Sequence, residues 1–400
     1  MRLTPTLSIF ARMTALAQKH QALNLAQGLL WLPPDPLLLA EAQAAVTQQN
    51  LLQYTPPAGS LALREVVAQL SHHLFGVAYD PEKEVTITAG ATEAIFAAIM
   101  ALTQPGDKAV FLEPAYDSYL PAFEMAGVQA QAVRFQLSSH SAEIPWAAVA
   151  AALSPHTRLL LLNFPHNPTG RSLREADVAF LAELVERYPQ LTLIVDEAYE
   201  LLHWGCEAPA PPRSLRQHPT LRARSVIIGS LGKMTGPTGW RLGYALAPAH
   251  LTEALRTVHQ FITFCAPAPL QEAVARYLRA DLKRATYFIQ PLWERRNRLL
   301  QLLQEATNLE VLAPEGAYFI LVRPQAPRPE TPLAEWLTQA AGVATIPLGA
   351  FYQDGNGEGW LRLCFARPMA MLEEAVERLA RVFPAQGPAA LALPIGLASL

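Results

Sequence analysis

The chain has 400 residues, of which 51% are hydrophobic and only 16% are charged, and its formal net charge is −3. An average globular protein carries about 25% charged residues. The composition therefore excludes a disordered polyelectrolyte and offers no basic field for nucleic acid, while the length allows roughly two to three domains.

The basic residues are strongly biased toward arginine. Only five of the 31 basic residues are lysines, and these are Lys19, Lys83, Lys108, Lys233 and Lys283. Chemistry that needs a side-chain primary amine therefore has few candidates in this chain.

The cysteines and the apolar runs bear on location. Cys206, Cys265 and Cys364 are far apart and form no C-x-x-C motif. The N-terminal stretch lacks the apolar core of a signal peptide, and no apolar run approaches the roughly 18 residues of a membrane helix. We therefore expect reduced thiols and a cytoplasmic protein without membrane attachment.

The first half of the chain alternates short apolar runs with stretches of helical spacing. Strands are predicted at residues 85–89, 109–113, 128–135, 158–163, 191–195, 226–229 and 242–247. Helices are predicted between them, at about 92–102 and 173–187. Continuous apolar strands separated by helices favour a largely parallel sheet covered on both faces.

The second half predicts a different organisation. Residues 251–306 are mostly helical, with expected breaks at 266–269 and at Pro291. A strand (317–322), a helix (333–341), two strands (343–346 and 360–365) and a helix (368–382) follow. We expect an α/β protein with a large domain over residues 46–290 and a smaller α+β domain over residues 291–383. Residues 1–45 would pack with the smaller domain, and residues 384–400 would form a tail.

Ligands bind at the carboxyl ends of the strands in such sheets, so the residues that follow each run are candidates for a site. Run 85–89 leads into Gly90, Ala91 and Thr92, which open a helix whose free N–H groups suit a phosphate. Run 109–113 leads into Tyr116, which can stack on a flat ligand. A plain glycine turn and a packed surface aromatic remain alternatives for these residues.

The next two strand ends carry polar side chains. Run 158–163 leads into a rigid turn, FPHNPTG, which either aims the Asn167 amide into a site or is only a turn. Asp196 follows run 191–195, where a carboxylate is costly unless it faces a positive group such as a protonated ring nitrogen. No cluster of His, Cys and carboxylate residues has metal-ligand spacing here, so we expect no metal.

The segment SLGKMTGPTGWRLGY, residues 230–244, is the most informative one. It combines Ser230 and Arg241, which suit phosphate, with Lys233, which suits imine formation. The other four lysines lie in turns or on polar helical faces. An amine, phosphate donors, an anion for a ring nitrogen and an aromatic residue together predict a pyridoxal phosphate site.

The chain also resembles the fold-type I, class I and II aminotransferases, and within them the methionine aminotransferase and kynurenine aminotransferase (glutamine transaminase K) group. The resemblance runs from about residue 8 to residue 383. It rests on the segments SIFARMTALAQKHQALNLAQG, QYTPPAGSLALREVVA, TAGATEAI, EPAYDSY, NFPHNPTG, VDEAYE, SLGKMTGPTGWRLGY and LRLCFA.

The resemblance implies how the cofactor, pyridoxal 5'-phosphate, is held. Lys233 would carry it as a Schiff base, Asp196 would pair with its protonated ring nitrogen, and Tyr116 would stack on its ring. Tyr199 and Asn167 would donate hydrogen bonds to its ring oxygen. Its phosphate would contact Ala91, Thr92, Ser230, Arg241 and, across the interface of a homodimer, Tyr54.

The resemblance also implies how the substrate is held. Arg362 would clamp the substrate carboxylate as a bidentate fork, beside Asn167 and a backbone donor at Gly28. The family usually has an aromatic residue directly after that glycine, whereas this chain has an aromatic only at Trp31. Further pocket candidates are Trp31, His259, Phe264 and Tyr318, with ordinary core or dimer packing as the alternative for each.

The activity implied by the resemblance is transfer of an amino group from an apolar or aromatic L-amino acid to a 2-oxo acid. The donors would be of the methionine, phenylalanine, kynurenine or glutamine type. Burial and nearby positive charge would lower the pKa of the freed Lys233 amine, which would take the α-proton. The alternative is a cysteine-S-conjugate β-lyase on the same scaffold. A transcription regulator with an aminotransferase-like domain is disfavoured, because no basic patch accompanies this sequence.

Overall fold

A computed structural model describes residues 8–326 and 328–386 of the chain. Its α-helices are α1 Ile9–Lys19, α2 Pro36–Val46, α3 Leu61–Phe75, α4 Ala91–Leu102, α5 Tyr119–Met125, α6 Trp146–Ala152, α7 Glu175–Arg187, α8 Pro219–Arg222, α9 Leu231–Thr235, α10 Ala249–Ile262, α11 Ala268–Ala280, α12 Ile289–Ala306, α13 Glu330–Trp336 and α14 Met369–Val382. The expected tail from residue 384 lies outside the described residues, apart from its first three positions.

The strands divide among one large sheet, one smaller sheet and two short pairs. They are β1 Leu23–Asn24, β2 Val85–Thr88, β3 Lys108–Glu113, β4 Gln129–Arg134, β5 Gln136–Leu137, β6 Ala142–Glu143, β7 Thr157–Asn163, β8 Thr192–Asp196, β9 Ser225–Gly229, β10 Gly243–Leu246, β11 Glu310–Leu312, β12 Phe319–Arg323, β13 Val343–Ala344, β14 Ile346–Pro347 and β15 Leu361–Cys364.

The large sheet has seven strands in the order β2-β10-β9-β8-β7-β3-β4. Strands β9, β8, β7, β3 and β4 pair in parallel, whereas β10 is antiparallel to both β9 and β2. Helices cover both faces of this sheet, and its central strands are therefore buried on both sides. The prediction of an α/β fold with a mostly parallel sheet between helices is confirmed.

The smaller sheet has four antiparallel strands in the order β11-β12-β15-β14. The short strand β1 near the N-terminus pairs in parallel with β13, which brings the N-terminal segment against the C-terminal part of the chain. On this basis we propose that the boundaries between the large and the smaller domain lie near residues 45 and 290. The pairing also carries residues 24–31 across the chain toward the end of β15.

The expected helix breaks have different outcomes. The break at 266–269 is confirmed, since α10 ends at Ile262 and α11 begins at Ala268. The break at Pro291 is wrong, because α12 begins at Ile289 and continues through the proline. Pro291 lies in the first turn of the helix, where the N–H that proline lacks would have no helical partner.

Within the described ranges, no helix combines the length and the apolar character that crossing a bilayer requires.

Candidate active site

A cavity of about 340 Å³ lies at the carboxyl edge of the large sheet. Small-molecule sites have volumes of roughly 300–1,000 Å³. All of the predicted site residues except Tyr54 line it, and these are Gly28, Ala91, Thr92, Tyr116, Asn167, Asp196, Tyr199, Ser230, Lys233, Arg241 and Arg362. Tyr54 lies on the segment before α3, and its side chain is 83% exposed.

The Lys233 amine is held by two acceptors inside this cavity. Its Nζ donates to the Gly28 carbonyl oxygen at 3.0 Å and to the Tyr318 hydroxyl at 2.7 Å. The Tyr318 hydroxyl in turn donates to the Gly28 oxygen at 2.8 Å. Burial lowers the pKa of the Lys233 amine to about 8, and the charges of Arg362 and Arg241 act in the same direction. A substantial fraction of this amine is therefore neutral at mildly alkaline pH.

Asp196 ends β8 as a buried carboxylate. The Tyr119 hydroxyl donates to its Oδ2 at 2.6 Å, and the Ala198 amide donates to its Oδ1 at 3.0 Å. Burial raises the pKa of Asp196, whereas the Tyr119 hydrogen bond lowers it. Among the described residues, no basic side chain lies within ion-pair distance of this carboxylate. A cationic ligand group in the cavity would supply the missing partner.

The turn after β8 is fixed by a buried ion cluster. Arg216 donates to Glu197 at 2.6 Å and to Glu200 at 2.7 Å, and the Tyr244 hydroxyl also donates to Glu200. All of these side chains are buried. The two carboxylates flank Tyr199 in sequence, so the cluster holds the backbone that aims Tyr199 at the cavity.

The N-terminus of α4 forms an anion cradle with Arg241. Gly90 precedes the helix with φ +88°, and a Cβ there would lie 2.6 Å from the Arg241 guanidinium. A Cβ on Gly243 would lie 2.6 Å from the Ala91 nitrogen. Glycine is therefore needed at both positions for this close approach. Arg241 pairs with no carboxylate in the part of the chain that is described, and the free N–H groups of α4 attract an anion.

Arg362 on β15 is buried without a carboxylate partner among the described residues. Its Nη1 donates to Asn167 Oδ1 and its Nη2 donates to the Ala26 oxygen, both at 2.8 Å. Its Nε is buried and has no hydrogen-bond partner. The guanidinium packs 4.1 Å from the centre of the Phe319 ring. A planar guanidinium group that has no carboxylate partner is suited to bind a carboxylate.

The two cavity tyrosines keep their protons. Tyr116 follows β3 with its ring edge-on to Tyr119 at 5.8 Å, and Tyr199 lies edge-on to Tyr318 at 5.1 Å. Burial raises the pKa of both Tyr116 and Tyr199. Their hydroxyls therefore remain hydrogen-bond donors at neutral pH.

The further pocket candidates have mixed outcomes. Trp31 and Phe264 are 56% and 46% exposed and do not line the cavity. His259 is fully buried between Glu93 and the Pro57 oxygen, also outside the cavity. Only Tyr318 reaches the site, through the Lys233 amine.

Sequence reasoning assigned no role to Tyr119, although it belongs to the EPAYDSY motif. A second tyrosine three residues after Tyr116, on the helix that follows β3, was the available signal. The contacts of Phe10 and Phe319 with Arg362 were also missed, because they join distant parts of the chain.

These features fit pyridoxal phosphate. The glycine cradle with Arg241 suits the phosphate, Asp196 faces the cavity without a cationic partner, and Lys233 supplies the amine. Arg362 also lines the cavity and has no carboxylate partner among the described residues, so it is available to a substrate carboxylate.

Comparison with known proteins agrees with this geometry. The sequence profile described as "Aminotransferase class I and II" matches residues 21–379. Methionine aminotransferase of Escherichia coli is 40% identical over 379 residues, which cover 93% of this chain and 95% of the relative. Kynurenine–oxoglutarate transaminase 1 of Mus musculus is 30% identical over 399 residues, with coverage of 92% and 93%.

Two solved structures have the same fold. The structure of YbdL from Escherichia coli, described with a methionine aminotransferase function, matches with a TM-score of 0.88 at 38% identity and covers 95% of this chain and 100% of that one. N-succinyldiaminopimelate aminotransferase from Mycobacterium tuberculosis matches with a TM-score of 0.88 at 35% identity, with coverage of 94% and 99%.

Proposed function

The chain belongs to the class I and II aminotransferases, and from this premise we propose that its amino donors are apolar or aromatic L-amino acids of the methionine, phenylalanine, kynurenine or glutamine type. As a member of the family it is a pyridoxal 5'-phosphate-dependent transaminase, which moves an amino group from an amino acid to a 2-oxo acid.

The charges in the cavity carry the proposal on substrate class. The basic residues that line it are Lys233, Arg241 and Arg362. The amine chemistry, the cofactor phosphate and the α-carboxylate use these three, so no described cation is left for a side-chain carboxylate. The remaining wall is largely apolar and includes Phe10, Leu29, Ile95 and Phe319. Such a wall favours an apolar or aromatic substrate side chain.

The residues that would hold the cofactor come from the strand ends. Lys233 would bind its aldehyde carbon covalently, and Asp196 would keep its ring nitrogen protonated. Tyr116 would stack on the ring, while Tyr199 and Asn167 would donate to its ring oxygen. When bound, pyridoxal phosphate supplies an electrophilic carbon and a ring that accepts an electron pair. Its phosphate would lie against Ala91, Thr92, Ser230 and Arg241.

The substrate and its proton are handled by residues of the chain itself. Arg362, steadied by Asn167, would bind the α-carboxylate and orient the α-proton toward Lys233. When it is not bound to the cofactor, the neutral Lys233 Nζ would take that proton, since burial lowers the pKa of the free amine to about 8. The Gly28 oxygen and the Tyr318 hydroxyl would then accept hydrogen bonds from the ammonium group.

We propose a homodimer in which Tyr54 reaches the phosphate in the neighbouring site. Tyr54 lies outside the cavity of its own chain and packs against Phe264, with ring centres 5.3 Å apart. Leu52, Phe261 and Ile262 on the same two segments are also exposed. An exposed apolar patch of this kind is typical of a subunit interface.

We also propose a cytoplasmic location. The cysteines Cys206, Cys265 and Cys364 are free, as in proteins kept in a reducing compartment. Cell fractionation that recovers the protein outside the cytoplasm would contradict this.

The test of the proposed function uses the purified enzyme loaded with cofactor. Single amino acids are added, and loss of the visible absorption band of the bound cofactor is followed together with formation of the 2-oxo acid. Methionine and phenylalanine are expected to bleach the band, whereas aspartate is not. Efficient turnover of aspartate would overturn the proposed donor class.

Lys233→Ala is the matched variant, with Lys283→Ala on an exposed turn as the control. Turnover is expected to vanish in the first variant and to remain in the second. Equal activity of both variants would refute the role of Lys233. None of the relatives named above is described as a β-lyase. Pyruvate formed from a cysteine S-conjugate without an added 2-oxo acid would indicate β-lyase chemistry instead.

A further inference from the structure

One loop, residues 24–29, presents its backbone to the active site. Gln27, Gly28 and Leu29 line the cavity, and the Gly28 oxygen accepts from Lys233. The segment begins at the last residue of β1 and crosses toward the end of β15. Its position therefore sets both one wall of the cavity and one acceptor of the reactive amine.

The carbonyl oxygens of this loop are bound by donors from distant parts of the chain. The Leu25 oxygen accepts from the Cys364 amide at 2.8 Å, and the Ala26 oxygen accepts from Arg362. The carbonyl oxygens of Asn24, Gln27 and Leu29 all accept hydrogen bonds from one side chain, that of Arg367, which follows β15.

Arg367 donates to the oxygens of Asn24, Gln27 and Leu29 at 2.9, 2.7 and 2.6 Å. It is only 1% exposed and forms no ion pair with any carboxylate in the described part of the chain. Its positive charge is therefore stabilised mainly by the backbone carbonyl dipoles of this loop, together with the Trp31 ring 5.6 Å away. Arginine is suited to this role because its planar fork presents several donors in fixed directions.

We propose that Arg367 is a positioning residue for the substrate: it holds loop 24–29 in place, so that Gly28 and the guanidinium of Arg362 meet the substrate carboxylate. Arg367 does not line the cavity and would not touch the substrate itself. The loop nevertheless joins the two arginines, because Arg362 donates to Ala26 in its middle. Displacement of the loop would remove one of the two partners that orient the Arg362 fork.

This inference rests on the proposed function and deepens it, because it concerns how the same enzyme binds the carboxylate of its substrate. The cofactor contacts are predicted on other elements: the start of α4, the segments at the ends of β3, β7, β8 and β9, helix α9 and Arg241. Loss of Arg367 should therefore weaken carboxylate binding without weakening cofactor binding.

The test compares Arg367→Gln and Arg367→Lys with a matched control, Arg256→Gln. Arg256 also donates to two backbone carbonyls, those of Glu82 and Val85 at 2.8 and 2.6 Å, but it lies away from the cavity. Affinity for 3-phenylpropanoate, a carboxylate that lacks an amine, is measured calorimetrically on each cofactor-loaded protein. Cofactor affinity, KM and kcat for methionine are measured alongside.

We expect Arg367→Gln to raise the dissociation constant of 3-phenylpropanoate about tenfold, a typical effect of losing the support of a binding group. KM should rise more than kcat falls, while cofactor affinity stays within about threefold of wild type. Arg367→Lys, which keeps the charge but not the fork, should give an intermediate effect. Arg256→Gln should behave as wild type.

Hydrogen exchange of the cofactor-free proteins gives a readout that needs no activity. Amides of residues 24–29 should exchange faster in Arg367→Gln, and not in Arg256→Gln. Unchanged exchange in the loop, unchanged carboxylate affinity, or equal loss of carboxylate and cofactor affinity would each overturn the proposal. A wild type that shows loop protection but turns over neither methionine nor phenylalanine would instead overturn the proposed donor class, so the two failures are distinguishable.

Discussion

The hydroxyl of Tyr318 should control the protonation of the catalytic amine. It accepts a hydrogen bond from Lys233 Nζ at 2.7 Å, and its own proton is committed to the Gly28 oxygen. Tyr318 therefore acts toward Lys233 as an acceptor and stabilises the ammonium form. Tyr318→Phe removes this acceptor, and we expect the pKa of Lys233 to fall below its value of about 8.

The size of the shift follows from the strength of the bond. A hydrogen bond to a charged group contributes about 1.5–3 kcal/mol, and 1.36 kcal/mol corresponds to one pKa unit. The Gly28 oxygen remains as an acceptor and water can enter, so we expect the lower end of this range, about one pH unit. Since the neutral amine is the reactive form, the pH profile of its reactivity should move to lower pH.

Competitive acetylation of the cofactor-free enzyme with acetic anhydride measures this directly. When Lys233 is acetylated, trypsin releases residues 225–241 as a peptide in which Lys233 is the only lysine. Mass spectrometry of this peptide therefore measures the reaction of Lys233 separately from that of the other four lysines. Tyr277→Phe is the control, because that buried hydroxyl donates to Asp35 at 3.0 Å, away from the site. An unchanged or upward-shifted profile in Tyr318→Phe, or an equal shift in Tyr277→Phe, would refute the reasoning.

Two further predictions concern assembly and stability. If Tyr54 completes the neighbouring site, Tyr54→Ala and Lys233→Ala should each be nearly inactive. Re-associated mixtures of the two variants should recover about one quarter of wild-type activity, because half of the dimers are hybrids and each hybrid has one intact site. No recovery after verified exchange of subunits would contradict the shared site. Arg216→Met leaves Glu197 and Glu200 buried without their cation, and should lower the free energy of unfolding by about 3–5 kcal/mol in urea titrations. The exposed pair Arg213–Glu175 should contribute only about 0–1 kcal/mol, so equal losses in Arg213→Met and Arg216→Met would show that burial of the pair does not matter.

The strand ends explain why much of the cavity could be predicted from sequence. Thr92, Tyr116, Asn167, Asp196 and Lys233 each follow an apolar run, and parallel strands bring their carboxyl ends to one edge of the sheet. Local reading along the chain was therefore sufficient to find them. Their individual roles in catalysis stay predictions until the variants are measured.

The parts that lie outside the large sheet could not be found in this way. Gly28 and Arg362 were proposed only through the family resemblance, since they come from β1 and β15 regions that no strand-end rule connects. Tyr318 and Arg367 act through contacts with residues more than 80 positions away. Arg367 in particular reads in the sequence as an ordinary charged residue before a helix, because nothing local shows that it is buried.

Loop 24–29 is held by hydrogen bonds to its main chain, and this has a consequence for how the substrate preference of the enzyme can change. Every residue has a backbone carbonyl oxygen, so the hydrogen bonds from Arg367 do not depend on which side chains stand at positions 27 and 29. Residues 27 and 29 line the cavity, and replacement of their side chains leaves intact the backbone hydrogen bonds that hold the loop. Substrate preference can therefore drift at the rim of the site, among descendants of this enzyme or in the laboratory, while the framework that carries the amine and the carboxylate clamp stays unaltered.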